Sequence, residues 1–221
     1  MPGPREPSTG ATRASELLAL GSATVGESGG HPMRPRIKAV WHGARLAAPA
    51  FPVRCSPADN LALHVAVARA PEGSVLAVDV GDEDELGYWG EVLTTAAEVR
   101  GLAGLVIDGG VRDSAALEAH GFPVFSTTVA LRGASKNRPG TVGLPVDVGG
   151  VRVEAGDWLV GDGDGVAVVP ATALEDVLRA ARARADKEDA MFIALRDGRT
   201  TLELLGLDPS PVEGAERALR R

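Results

Sequence analysis

The sequence predicts an α/β chain with a central βαβ unit, a second mixed or mostly antiparallel sheet, and a long C-terminal helix. Three observations predict it. Two valine-rich apolar runs, SVLAVDV at 74–80 and GLVID at 104–108, flank Glu91 to Arg100, whose alanines, Leu93 and Val99 suit a helix lying on a sheet. Short apolar runs then follow, PVFST, TVGLPVDVGGVRV and DWLVGDGDGVAVVP, separated by the glycine, proline and aspartate of tight hairpins. Finally, Leu174, Val177, Leu178, Ala181, Ala185, Met191 and Leu195 recur at helical spacing between Thr172 and Leu195.

The remaining elements follow in chain order. MPGPREPSTG offers no apolar face, so residues 1–13 are expected to form a disordered tail and residues 14–221 a single domain. Ala14 to Leu20 reads as a short helix that ends near Gly21. IKAVW at 37–41 reads as a strand, and Ala48 to Pro52 as an irregular segment. Leu61, His64, Val65 and Ala68 mark a helix over 57–70, closed by Pro71 and Gly73. Gly101 stands where the helix beginning at Glu91 needs a C-terminal cap. In a strand–helix–strand unit, ligands gather at the carboxyl ends of the strands. The loops 81–90 and 108–113 emerge there.

Composition narrows the function classes. The 221 residues carry 30 acidic and 23 basic side chains, a net charge of -7, which opposes attraction to a nucleic-acid backbone or an anionic membrane. The single cysteine, Cys55, forms no intramolecular disulfide, and zinc sites built from several cysteines are excluded. No stretch has the length of a signal-peptide core or a membrane span, so a cytoplasmic location is expected.

The chemistry-bearing residues concentrate at the strand ends. Gly90, Glu91, Val92 and Leu93 begin a helix, where free N–H groups and the positive end of the helix dipole favour a carboxylate. In DGGVRD at 108–113, Arg112 can grip a carboxylate or an enolate oxygen while Asp113 holds a divalent ion. Together they describe a site for a small 2-oxo acid. The same residue types also fit a surface ion pair beside a plain glycine turn.

The run GYWGEVLTTAAEVRGLAGLVIDGGVRD resembles the signature of the RraA-like family, which includes 4-hydroxy-4-methyl-2-oxoglutarate aldolases and oxaloacetate decarboxylases. The likeness extends more loosely over residues 37–195 through PEGSVLAVD, GFPVFS and VGGVRVEAGDWLVGDGDGVAVVP. Members that cleave aldols share an acidic residue followed, after twenty positions, by Arg-Asp; Glu91 and Arg112-Asp113 have that spacing. A second class in the family regulates ribonuclease E and typically lacks the acidic residue.

The resemblance implies a swivelling β/β/α fold, a homotrimer or homohexamer, and Mg2+ or Mn2+ as a Lewis acid. It implies a class II, metal-dependent lyase that cleaves 4-hydroxy-4-methyl-2-oxoglutarate-like acids, decarboxylates oxaloacetate, or does both through a pyruvate enolate. Arg112 would stabilise enolate charge, Asp113 would hold the metal, and the amides from Gly90 to Leu93 would seat the substrate carboxylate. Glu91 would activate a water that serves as base in aldol cleavage; decarboxylation needs none. Glu188 resembles an acidic residue presented to a neighbouring subunit's metal site, although DKEDAMF also fits a solvated helix face. The alternative function is a non-catalytic trimeric regulator that binds an RNA-processing enzyme.

Other residues carry less. Asp108 either supports the metal through water or caps a turn. GDGDGVAVV lacks the lysine of a phosphate-binding loop and the spacing of a calcium loop, so a β-turn is the better reading. His31, His42, His64 and His120 share no metal-ligand spacing. Lys136 is read as a surface residue and the Tyr88-Trp89 pair as packing. The N-terminal segment LGSATVGESGG departs from the family where relatives shape the substrate pocket, which leaves substrate preference open. No methyl-donor site is visible, because no G-x-G-x-x-G follows a strand.

Overall fold

The computed structural model describes residues 9–212 and divides the chain into two compact units, Met1–Ala181 and Arg182–Arg221. In the first unit, α1 (Thr9–Glu27) leads to β1 (Leu46–Arg54), α2 (Leu61–Arg69), β2 (Val75–Asp79), α3 (Glu91–Val99), β3 (Gly104–Asp108), α4 (Ser114–His120) and β4 (Val124–Ser126). A hairpin of β5 (Val146–Val148) and β6 (Val151–Val153) follows, then β7 (Trp158–Gly161), β8 (Val166–Val169) and the start of α5 (Leu174–Arg196).

The βαβ unit forms as the apolar runs predict. Strands β1 to β4 lie side by side and parallel, with Ala50–Arg54 opposite Val75–Asp79, the latter opposite Gly104–Asp108, and Leu105 and Val106 opposite Val124 and Phe125. Asp79 and Asp108 are register partners, so the loops after β2 and β3 leave the sheet at one edge. On the other side of β1, β7 and β8 extend the same nine-stranded sheet antiparallel. The β5–β6 hairpin pairs only with itself.

Side chains pack on both faces. Leu63 and Val67 of α2, Leu93 and Ala97 of α3 and Leu117 of α4 bury against Leu76, Val78, Leu105 and Ile107. On the opposite face, Val75, Ala77 and Val106 meet Val146, Val148 and Val153 of the hairpin. Leu17 and Val25 of α1 join Leu174, Val177 and Leu178 of α5 over Trp158, Val160 and Val169.

Three expectations need correction. The segment over Ala48 to Pro52 is part of the nine-residue strand β1, which switches from antiparallel pairing with β7 to parallel pairing with β2. Pro49 and Pro52 read as strand breakers, yet the carbonyl of Pro52 still accepts from Gly143 N at 2.8 Å, and Ala50 N donates to Asp157 O. In IKAVW only Lys38–Ala39 pairs as strand, antiparallel to Ser126 and Phe125. Helix α1 begins at Thr9, so residues 9–13 of the expected tail are helical, with Arg13 ion-paired to Glu175 at 2.6 Å; residues 1–8 lie outside the described residues. The expected helix end near Gly21 holds: its backbone there is non-helical (φ 81, ψ 160), and a second helical stretch begins beyond it, where Asp162 accepts from Ser22 N at 2.8 Å and Ser22 Oγ at 2.6 Å.

The first compact unit closes at Ala181. That residue is the last one α5 buries, and Ala185, Met191 and Leu195 of the predicted stripe are only half-buried. The second unit holds the rest of α5 and α6 (Thr201–Leu205), which opens with a capping box between Thr200 and Glu203.

Candidate active site

Three backbone segments converge at the edge where β2 and β3 end. Tyr88 N donates to Gly110 O at 3.0 Å and Arg112 N to Trp89 O at 2.8 Å, tying the approach to α3 onto the segment leaving β3. Gly87 N donates to Arg132 O and Ala130 N to Val111 O, both at 2.8 Å, which adds residues 130–133 as a third wall. Tyr88 and Trp89 anchor the construction from inside, each 1% exposed. The Tyr88 hydroxyl donates to Glu83 O and accepts from Ala58 N, while Trp89 Nε1 donates to Thr94 Oγ1 at 2.7 Å and its ring stacks on Phe122. Their role is the expected packing.

Close approach explains the glycines. A Cβ on Gly90 would stand 2.4 Å from Asp113 Oδ2 and 3.0 Å from Arg112 Cγ. On Gly87 it would stand 2.6 Å from Ala130 O and 3.1 Å from Arg112 Cδ, and on Gly133 3.1 Å from Arg112 Nη1. Arg112 therefore lies in a slot whose walls are three glycines, with its side chain 45% exposed. Gly90 was legible as a helix start. Gly87 and Gly133 were not, since only the fold brings them to Arg112.

Asp113 occupies the left-handed region at φ 59, unusual for a residue with a side chain, and this backbone turns its carboxylate toward α3. Its Oδ2 accepts from Glu91 N at 3.1 Å and lies 3.7 Å from Arg112 Nε. The structure thus brings Gly90, Glu91, Arg112 and Asp113 together. One assignment changes: the Glu91 amide, expected to seat a substrate carboxylate, is engaged by Asp113. Val92 and Leu93, in the first turn of α3, still present N–H groups without an intrahelical acceptor, although the Val92 side chain is 76% exposed and the Leu93 side chain is buried.

A buried carboxylate that sequence reasoning passed over fixes the third wall. Asp59 is 1% exposed and accepts from Leu61 N, Ser135 Oγ, Asn137 N and Arg138 N at 2.6–3.0 Å. Burial opposes its ionisation, but these donors outweigh burial and bring the pKa down to about 2. It pins the loop after Gly133 to the start of α2.

The remaining candidates fall elsewhere. Asp108 accepts from Gly149 N at 3.0 Å and pairs with Arg36 at 2.6 Å, so it ties the β5–β6 hairpin and the N-terminal segment to the end of β3. Glu188, in the second unit, pairs with Arg184 four residues earlier at 2.8 Å. Lys136 is exposed, and GDGDGVAVV forms the turn between β7 and β8, with Asp162 N donating to Gly165 O at 3.0 Å. His120 had been set aside for lack of metal spacing, yet its Nε2 lies 3.7 Å from Glu91 Oε1. A cavity of about 330 Å3 lined by Asp82, Glu83, Asp84, Glu85, Leu86 and Arg132 lies next to Gly87, but its four carboxylates repel an anionic substrate.

Comparison with known proteins identifies the family. The RraA-like family model (Aldolase/RraA) matches residues 22–168. A protein of Halalkalibacterium halodurans with the provisional name 4-hydroxy-4-methyl-2-oxoglutarate aldolase is 32% identical over 161 residues, covering 73% of this chain and 77% of its own. A solved but uncharacterised protein of Pseudomonas syringae superposes with a TM-score of 0.77 at 26% identity, over 87% of this chain and 96% of its own. RraAS2 of Streptomyces coelicolor, described as an unusual member of the RNase ES inhibitor RraA family, superposes with a TM-score of 0.74 at 25% identity, over 86% of this chain and 100% of its own. With the mixed sheet, the βαβ unit and the long C-terminal helix of that fold, this chain belongs to the RraA-like family.

Proposed function

We propose that the chain is a divalent-metal-dependent carbon–carbon lyase acting on small 2-oxo acids, with 4-hydroxy-4-methyl-2-oxoglutarate and oxaloacetate as its substrate types. The observation that carries this reading is the Arg112 guanidinium in its glycine slot beside an Asp113 carboxylate clamped to the start of α3. One half-exposed carboxylate suits a hard cation that keeps most of its shell as water and substrate oxygens. A larger protein cage is not required, and no cluster of three or more His, Cys, Asp or Glu side chains able to hold a metal occurs among the described residues. Mg2+ or Mn2+ would be held by Asp113 and, when bound, would supply Lewis-acid polarisation of the substrate keto group.

The chain's own residues do the rest. The Val92 and Leu93 amides orient the C1 carboxylate at the positive end of α3. Arg112 places its charge where the keto oxygen gains negative charge as the C3–C4 bond breaks. In aldol cleavage the C4 hydroxyl must lose its proton, and Glu91 orients the water that takes it. Pyruvate and a pyruvate enolate result, and protonation of the enolate gives a second pyruvate. In oxaloacetate the same bond breaks with loss of CO2 and no base is needed.

The Arg112 and Asp113 side chains are 45% and 42% exposed, so enclosure of the substrate is assigned to a neighbouring subunit in a homotrimer or homohexamer. Glu188 is the candidate side chain that such a neighbour brings. A regulatory role through an RNA-processing enzyme is the rival reading, and Glu91 at the family's catalytic spacing stands against it. Pyruvate release from both substrates tests the proposal: it should exceed the rate with free metal ion and stop with EDTA. Release no faster than the metal alone gives would refute it.

A further inference from the structure

We propose that His120 is a positioning residue for Glu91, an inference that rests on the lyase reading above. His120 is the last residue of α4 and precedes Gly121, whose left-handed backbone (φ 69) caps the helix and ends it there. Its Nδ1 lies 2.8 Å from Glu98 Oε2 and its Nε2 3.7 Å from Glu91 Oε1. Glu91 and Glu98 are seven residues apart, two turns of α3, so both carboxylates project from the face turned toward α4. One imidazole spans them.

The three groups are graded in exposure. The side chains of His120, Glu98 and Glu91 are 25%, 35% and 57% exposed, so exposure increases from the ring outward to the proposed catalytic carboxylate. Nδ1–H donation to Glu98 sets the ring plane, as a carboxylate does for a working imidazole. The opposite nitrogen is then aimed at Glu91. An exposed glutamate at the first position of a helix otherwise samples several rotamers, and each costs proximity to the substrate hydroxyl. When both ring nitrogens carry protons, Nε2 faces the Glu91 carboxylate across 3.7 Å as a charge partner rather than a direct hydrogen bond. The short contact to Glu98 is therefore part of the base's support, although neither Glu98 nor His120 touches substrate.

The two substrates separate this role from general damage, because only aldol cleavage uses Glu91 as a base-orienting group. His120→Ala should lower kcat for 4-hydroxy-4-methyl-2-oxoglutarate on the order of tenfold. It should leave oxaloacetate decarboxylation within about twofold of wild type. His120→Gln, which keeps a donor facing Glu91, should recover part of the loss. Wild-type rates on both substrates in His120→Ala, a faster aldol cleavage, or equal losses on both substrates would overturn the inference while leaving the lyase reading intact. A wild-type protein that releases pyruvate from neither substrate would sink the lyase reading and this inference with it.

Discussion

The left-handed backbone of Asp113 and the missing Cβ of Gly90 are two halves of one contact. Asp113 can reach Glu91 N only because nothing stands at the position a Gly90 side chain would fill, 2.4 Å from Oδ2. Gly90 itself has φ -166, an ordinary extended value, so backbone strain is not the reason for glycine there. Gly90→Ala should therefore fold normally but push Asp113 off α3 and weaken Mn2+ binding, measured by calorimetry on the folded variant. Unchanged Mn2+ affinity would show that Asp113 does not depend on the clamp. At this scale the sequence was legible where residues are close in the chain: the helix start at Gly90-Glu91 and the strand end at Arg112-Asp113. Gly87, Gly133 and the Glu98–His120–Glu91 chain are assembled through space, and no local pattern encodes them.

The elements were read best where apolar periodicity is strong. β2, α3 and β3 fall within a residue or so of expectation, because four of five positions in each of these strands are buried. β1 was missed because Pro49 and Pro52 carry the local signal of a break, while the pairing that overrides it comes from strands far along the chain. Asp59 has a comparable long-range role, joining α2 to the loop that bears Gly133. Its pKa of about 2 lies below the ordinary carboxylate value, so the unfolded chain takes up the proton first. Its contribution is complete above about pH 4 and is lost as pH falls toward 2. Asp59→Asn should lower stability by roughly 1–3 kcal/mol near neutral pH and flatten the acid limb of the stability curve below pH 4, checked by urea unfolding across pH. An acid limb identical to wild type would contradict this role.

For the whole molecule, the structure gives two compact units, with the boundary where α5 ceases to bury side chains. Among its described residues the second unit exposes Phe192, Ile193, Leu202, Leu205 and Leu207, each 43–61% accessible. Apolar exposure of this kind accords with the proposed trimer or hexamer. Light scattering should return three or six times the 22.7 kDa chain mass, and a monomer would contradict the proposed enclosure. No helix of the described residues is long and apolar enough to cross a membrane.

Turnover in the proposed lyase depends on the charge that Arg112 brings to the keto oxygen. Its side chain is 45% exposed, and the bond from its backbone N to Trp89 O survives truncation, so Arg112→Ala should melt within a few degrees of wild type. Steady-state pyruvate release by that variant, with magnesium and either substrate, is the most direct measurement. A kcat lower by about two to three orders of magnitude is predicted. Turnover equal to wild type in a folded Arg112→Ala protein would contradict the central claim.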